Sequence, residues 1–173
     1  MATVFDDLKG QSVFITGGGS GIGAALTEAF LRQGAKVAFC QRSDATAFCD
    51  AMETATGNRP LFLPCDISVT DQLQLTLSTA AQVHGPITVL VNNAAAAIYQ
   101  PTREFPLKRR RITFEVNVHA PADLTQAVLP GMLARGEGWI LNVSSASARY
   151  ELGRPKELPK PPPFIGVYGA SKA

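Results

Sequence analysis

The segment that most restricts the fold is Gly17-Gly18-Gly19-Ser20-Gly21-Ile22-Gly23. It lies between the β-branched run Ser12-Val13-Phe14-Ile15-Thr16 and a helical pattern with apolar residues at Ile22, Leu26, Ala29 and Phe30. A strand that passes into a helix through so many glycines lets the backbone turn sharply and lie close against a partner. The helix start then offers unpaired N–H groups and the positive end of its dipole to an anion such as a pyrophosphate. A glycine run alone would equally be a flexible turn; the strand before it and the helix after it favour the phosphate reading.

The rest of the chain repeats this alternation. Short apolar runs at Ser12 to Thr16, Lys36 to Cys40, Pro60 to Pro64, Ile87 to Val91 and Trp139 to Val143 read as five strands. Between them, Ile22 to Gln33, Ala45 to Thr56, Asp71 to His84 and a longer stretch from Leu107 to Ala134 are long enough for crossover helices. Such alternation gives an α/β fold with a doubly wound parallel sheet. The continuous apolar runs Ile87-Thr88-Val89-Leu90-Val91 and Trp139-Ile140-Leu141 suit strands covered by helices on both faces. With 173 residues, 46% of them hydrophobic, the chain makes a single domain spanning residues 1–173.

Composition excludes several classes. A formal net charge of +2, with both signs interspersed, creates no field that selects nucleic acid or an acidic membrane surface. The basic run Lys108-Arg109-Arg110-Arg111 reads as the solvated face of a helix start rather than a nucleic-acid patch. Three cysteines, Cys40, Cys49 and Cys65, form no CxxC pair, which argues against a zinc site or a disulfide framework and for a reducing, cytoplasmic setting. No metal site is expected. Met1 to Lys9 carries no apolar leader segment, and no stretch approaches the roughly eighteen uninterrupted apolar residues of a membrane span. Residues 150–164 are proline-rich, with five of the twelve prolines between Leu152 and Phe164, and can be neither helix nor central strand.

The glycine spacing, Thr-Gly-x-x-x-Gly-x-Gly, resembles that of the short-chain dehydrogenase/reductase family. Further motifs extend the resemblance along the chain: Cys65-Asp66-Ile67-Ser68 after the third strand, Asn92-Asn93-Ala94 after the fourth, Asn117 in the long helix, Ser144-Ser145 after the fifth, and Tyr168-Gly169-Ala170-Ser171-Lys172 near the end. The family implies a Rossmann-like sheet with strand order 3-2-1-4-5. Its usual sixth and seventh strands are expected to be missing here, because the sequence stops one residue after Lys172. The fifth strand, with Trp139 and Leu141, would then become an exposed edge.

The resemblance also implies a nicotinamide dinucleotide held by Gly17, Gly19, Ser20, Gly21, Ile22 and Gly23, with Asp66 and Ile67 at the adenine and Asn93 along the cofactor. At the end of the second strand a carboxylate would bind the adenosine ribose and repel a 2′-phosphate. Gln41 stands there and Arg42 follows. A guanidinium can pair with a 2′-phosphate, so NADP is favoured over NAD, the competing reading being a solvated loop charge at Arg42. Ala95 departs from the family, which usually has glycine at that position.

Tyr168 and Lys172 are four residues apart, so on a helix their polar ends can converge. A tyrosine with a free pKa of about 10 is a poor base at neutral pH, and a neighbouring ammonium stabilises its phenolate. By resemblance Tyr168 exchanges a proton with the oxygen of a carbonyl or secondary alcohol. Ser145 would hydrogen-bond the same oxygen, Lys172 would also hold the nicotinamide ribose, and Asn117 would fix a water leading to the lysine. Ser145 and Tyr168 are 23 residues apart in number, about twice the family's usual spacing. The proline-rich insertion between them is either a wall over the substrate or a surface loop.

The expectation is therefore a hydride-transferring oxidoreductase acting on a small-molecule carbonyl or alcohol, the alternative being a dinucleotide-binding fragment without turnover. After Tyr168 only five residues remain, and so short a helical stub frays unless packing holds it. Relatives pair their subunits through the long helix and the catalytic helix, so a homo-oligomer is possible but loses part of its surface here.

Overall fold

The computed structural model describes residues 3–148 and 166–173. The proline-rich insertion at 150–164 lies outside the described residues. Five strands, β1 (Ser12–Thr16), β2 (Lys36–Gln41), β3 (Leu61–Pro64), β4 (Val89–Asn92) and β5 (Trp139–Asn142), form one sheet in the order β3-β2-β1-β4-β5. Every pairing is parallel, with Ile15 opposite both Phe39 of β2 and Val91 of β4. The expected strand order and handling of the chain by helical crossovers are what the structure shows.

Side chains alternate across β1, which divides the core in two. Val13 and Ile15 join Val37, Phe39, Val89 and Val91 beneath α1 (Gly21–Arg32) and α2 (Thr46–Thr56). Phe14 points the other way, into a cluster with Leu90, Leu73 and Leu77 of α3 (Thr70–His84), and Leu124, Val128 and Met132 of α5 (Ala120–Arg135). Phe39 stacks on Phe62 at 5.4 Å and meets Phe48 edge-on at 5.8 Å, tying the sheet to α2. All of β1 and β4 is buried, as continuous apolar strands require.

β5 differs. Ile140 packs against the α3/α5 cluster, but Trp139 is 43% exposed and Leu141 48%. The reading of Trp139-Ile140-Leu141 as buried on both faces is corrected: β5 is the last strand of the described sheet, and no described helix covers its Trp139/Leu141 side.

The facing of α1 follows the apolar pattern only in part: Leu26 and Phe30 pack against the core cluster. Its row against the sheet is Gly23, Thr27 and Leu31, whereas Ile22 is 64% exposed and Ala29 is on the solvent side. A Cβ on Gly23 would lie 1.9 Å from the Gly17 carbonyl oxygen, so close glycine packing helps set how the helix is turned.

The long helical stretch is not one continuous helix. α4 (Leu107–Phe114) passes into a π-helical turn, Glu115–His119, before α5 begins. Ala120 N–H bonds Glu115 O, five residues back. Pro121 explains the widening. It has no N–H to give the Asn117 carbonyl, and its ring would clash with that carbonyl in a regular α-helix. The short helix α6 (Gly166–Ala170) closes the described chain.

Candidate active site

The β1–α1 turn is built by its own packing. Gly17 adopts φ +69° and Gly21 φ +53°, both in the left-handed region where a side chain would strain the backbone. The Gly17 N–H donates to Cys40 O at 2.7 Å, Thr27 Oγ1 donates to Gly18 O at 2.8 Å, and Gly19 N–H donates to Gln41 Oε1 at 3.0 Å. Thr16 Oγ1 accepts from the N–H groups of both Asn93 and Ala94 at 3.0 Å. The Asn93 amide in turn donates to Thr16 O at 3.0 Å and Gly17 O at 3.2 Å. These bonds bind the turn after β1 to the turn after β4. Thr16 and Thr27 were not singled out as site residues; Thr16 stands inside the quoted motif, but Thr27 has no local signal because its partner is nine residues back.

Ser20 is the N-cap of α1, yet no side chain caps the helix start. At Gly21 a Cβ would meet nothing within 4 Å, so the space before the helix is open. A cleft of about 600 Å³ lies beside it, lined by Gly17, Ser20, Gln41, Arg42, Asp66, Ile67 and Asn93. Seven of the expected cofactor residues thus share one wall system, with Gly19, Gly21, Ile22 and Gly23 in the turn beside it. Uncapped N–H groups facing open space fit the phosphates of a dinucleotide.

Gln41 takes a role the sequence did not reveal: besides holding Gly19, its Nε2 donates to Ser43 O at 3.1 Å, so it braces the turn. Arg42 is exposed at the cleft and forms no salt bridge among the described residues. Asp66 accepts from Ser68 Oγ at 2.7 Å and Ser68 N–H at 3.0 Å. Those hydrogen bonds, chiefly the hydroxyl's, hold its carboxyl below the usual range despite partial burial, and the Arg42 charge adds to the effect.

The second group of residues gathers past the carboxyl ends of β4 and β5, the position where open α/β sheets place ligands. Asn117 is buried at 8% exposure in the π-turn; its Oδ1 accepts from Ala96 N–H at 2.8 Å and its Nδ2 donates to Ser171 Oγ at 2.8 Å. Ser171 Oγ donates to Tyr168 O at 2.7 Å. Lys172 Nζ donates to Val143 O at 2.9 Å, and Ser144 Oγ donates to Lys172 O at 2.7 Å. Burial pushes the Lys172 ammonium down from its ordinary value. Tyr168 packs its ring edge-on to Tyr99 at 5.6 Å. Ser145 Oγ accepts from the Ser147 hydroxyl at 2.9 Å, and Gly169 packs against the Ser147 carbonyl, where a Cβ would lie 2.7 Å away.

Asn117, Ser145, Tyr168 and Lys172 are therefore brought to one end of the sheet, but not into one hydrogen-bonded relay: Lys172 Nζ is bonded to Val143 O, while Ser171 N–H to Val167 O and Ala173 N–H to Gly169 O, both at 3.1 Å, carry helical bonds past the end of α6. Asn117 reaches the segment through Ser171, a link missed because it joins residues 54 apart in the sequence.

Residues 11–173 match the family model described as short chain dehydrogenase. The chain belongs to the short-chain dehydrogenase family. A probable galactose dehydrogenase of Rhizobium meliloti is 35% identical over 171 residues, covering 98% of this chain. Two solved metagenomic structures share the fold: a blue fluorescent protein in complex with NADPH (TM-score 0.81, 31% identity, 95% of this chain) and a short-chain oxidoreductase in complex with NADP (TM-score 0.83, 28% identity, 95% of this chain). The chain spans 63% of the length of that curated relative and 64% and 70% of the two solved chains.

Proposed function

We propose that this short-chain dehydrogenase chain binds NADP(H) and contributes the proton-handling residues for interconversion of a carbonyl and a secondary alcohol. The observation that carries the proposal is the uncapped start of α1 opening on the cleft that Arg42 and Asp66 flank. Solved relatives in complex with NADPH and NADP support the choice of dinucleotide.

Gly17 to Gly23 would hold the pyrophosphate, Arg42 the 2′-phosphate, and Asp66 with Ile67 the adenine end. A nicotinamide held there would supply or accept the hydride. Tyr168 gives its phenolic proton to the substrate oxygen, or takes it back in the alcohol direction, and Ser145 hydrogen-bonds that oxygen. The partly desolvated Lys172 supplies positive charge close to the end of β5, and charge in such a site favours an anionic neighbour more than it would in water. Asn117 and Ser171 hold the segment that carries both residues.

Incubation with NADPH and a panel of simple aldehydes and ketones, followed by absorbance, tests the catalytic half. Turnover lost in Tyr168→Phe while NADPH binding persists supports the reading. NADPH binding without turnover by the unsubstituted chain would instead assign a dinucleotide-binding module, which the Lys172–Val143 bond favours because it directs the amino group to a carbonyl.

A further inference from the structure

The ring that meets Tyr168 has no part in this scheme. Tyr99 stands in the segment between β4 and α4, and its ring lies edge-on to that of Tyr168, the centroids 5.6 Å apart and the planes at 72°. That separation and angle are those of a favourable aromatic pair. The contact covers only part of Tyr99, which is 58% exposed, so more than half of its surface is open beside the residue to which the proton transfer is assigned.

The chain fixes this ring from both sides. Before it, Asn117 holds Ala96 twice, accepting from its N–H at 2.8 Å and donating to its carbonyl at 3.3 Å. After it, Gln100 donates to Glu104 O and accepts from the Arg109 guanidinium of α4, each at 3.1 Å. Thr102 lies against the start of α6, where a Cβ on Gly166 would come 2.8 Å from its hydroxyl oxygen. The segment and α6 therefore pack together, with Tyr99 and Tyr168 side by side. Ala97 and Ile98, the two residues before Tyr99, line the cleft assigned to the dinucleotide, so one stretch of chain joins that cleft to the Tyr168 ring.

Ala97, Ile98 and Tyr99 present a methyl, a branched alkyl group and a flat ring. None offers a charge to a substrate, and the ring offers a face or an edge to another ring. A planar aromatic group attached to a carbonyl gains from such a neighbour what a saturated group of the same size does not.

We propose that Tyr99 is a specificity-determining residue. With Ala97 and Ile98 it seats the planar apolar substituent of an aryl ketone, or of the corresponding secondary alcohol, beside Tyr168. The inference rests on the assignment of Tyr168 to the substrate oxygen and deepens it by naming the substrate class. Because the ring is held before a substrate arrives, its contribution is not spent on ordering the segment.

Acetophenone and cyclohexyl methyl ketone are the probes: both are methyl ketones carrying a six-carbon ring, and they differ in whether that ring is aromatic. Each is titrated into the chain with and without excess NADP, whose oxidised state keeps the ketones from reacting. Ketone binding is read by saturation-transfer NMR and NADP binding by calorimetry. The unsubstituted chain should prefer acetophenone by about fivefold, the worth of one aromatic contact. Tyr99→Leu should abolish the preference and Tyr99→Phe should keep it, since the contact is made through the ring. With no ketone present, the Tyr168 ring signals should move in Tyr99→Leu and hold their places in Tyr99→Phe, which tests the pairing itself. A preference that survives Tyr99→Leu, a loss as large in Tyr99→Phe, or failure of the chain to bind either ketone overturns the proposal, and the calorimetry then reports separately on the dinucleotide reading. The expected pattern in a chain that binds no NADP keeps the Tyr99 wall and refutes the cofactor reading alone. The same pattern with turnover undiminished in Tyr168→Phe keeps the wall and refutes the assignment of the proton to Tyr168.

Discussion

The two halves of the candidate site are held in different ways. The glycine turn follows the fully buried β1, and its backbone is bonded to Cys40, Gln41, Asn93 and Thr27, with Gly18 and Gly23 against neighbours that leave no room for a side chain. The segment Gly166–Ala173 carries Tyr168 on a five-residue helix and Lys172 just past it, and docks through a handful of side-chain bonds to Asn117, Val143 and Ser144. It rests beside β5, the strand with the most exposed apolar surface. The contrast indicates that the proposed dinucleotide site is built into the packing of the sheet, while the proposed catalytic geometry depends on a few polar contacts at its edge. Perturbation should therefore separate the two.

Gly23→Ala gives the largest effect. With its Cβ 1.9 Å from the Gly17 carbonyl, helix and turn must move apart, and a loss of roughly 3 kcal/mol or more in urea unfolding is expected, with NADPH binding abolished. An alanine here that leaves both unchanged would break the claim that packing builds the turn. Next is Asn117→Ala, which removes the bonds to Ala96 and Ser171 and leaves buried polar groups unpaired. It should cost about 2 kcal/mol and speed hydrogen exchange in 166–173 far more than in β1 and α1. NADPH affinity should change less than the exchange rates do; equal loss in both halves would erase the contrast.

Arg42→Ala sharpens the binding half. NADPH affinity should fall about tenfold or more with NADH affinity unchanged, since one charge-assisted contact to a phosphate is removed. The smallest effect is Asp66→Asn. The folded-state pKa of Asp66 is lowered, so its stabilisation is present above the unfolded value, near pH 4, and is lost as pH falls through the lower folded value. Acid unfolding of the variant should therefore show a shallower slope below about pH 4, a difference of less than about 1 kcal/mol for a partly exposed group.

Legibility in the sequence follows the same division. β-Branched runs and the glycine spacing are local signals, so β1 matches its expected bounds, Ser12–Thr16, and the sheet order agrees throughout. The π-turn went unread because Pro121 is permitted in a helical first turn, and it is disruptive only because helix already runs through the preceding residues. The apolar pattern of α1 placed Leu26 and Phe30 on the core but not Ile22 or Ala29, because the Gly23 contact with Gly17 helps set the facing and hydrophobic periodicity does not register it. Tyr168 and Lys172 were identified from the family motif and their four-residue spacing, but the bond of Lys172 Nζ to Val143 O, 29 residues away, carries no local mark. Gln41 as a brace for Gly19, and Ser171 as the anchor of Asn117, join residues far apart in sequence and carry no local mark.

The central claim is that the turn and cleft form a self-sufficient NADP(H) site. Calorimetric titration of the chain with NADPH and NADH, alongside Gly21→Asp, tests it most directly. Aspartate at φ +53° strains the backbone and sets a negative charge before the uncapped start of α1. The account predicts tighter binding of NADPH than of NADH, with both lost in the variant. A folded chain that binds neither dinucleotide, or a Gly21→Asp variant that binds as well as the parent, would contradict it.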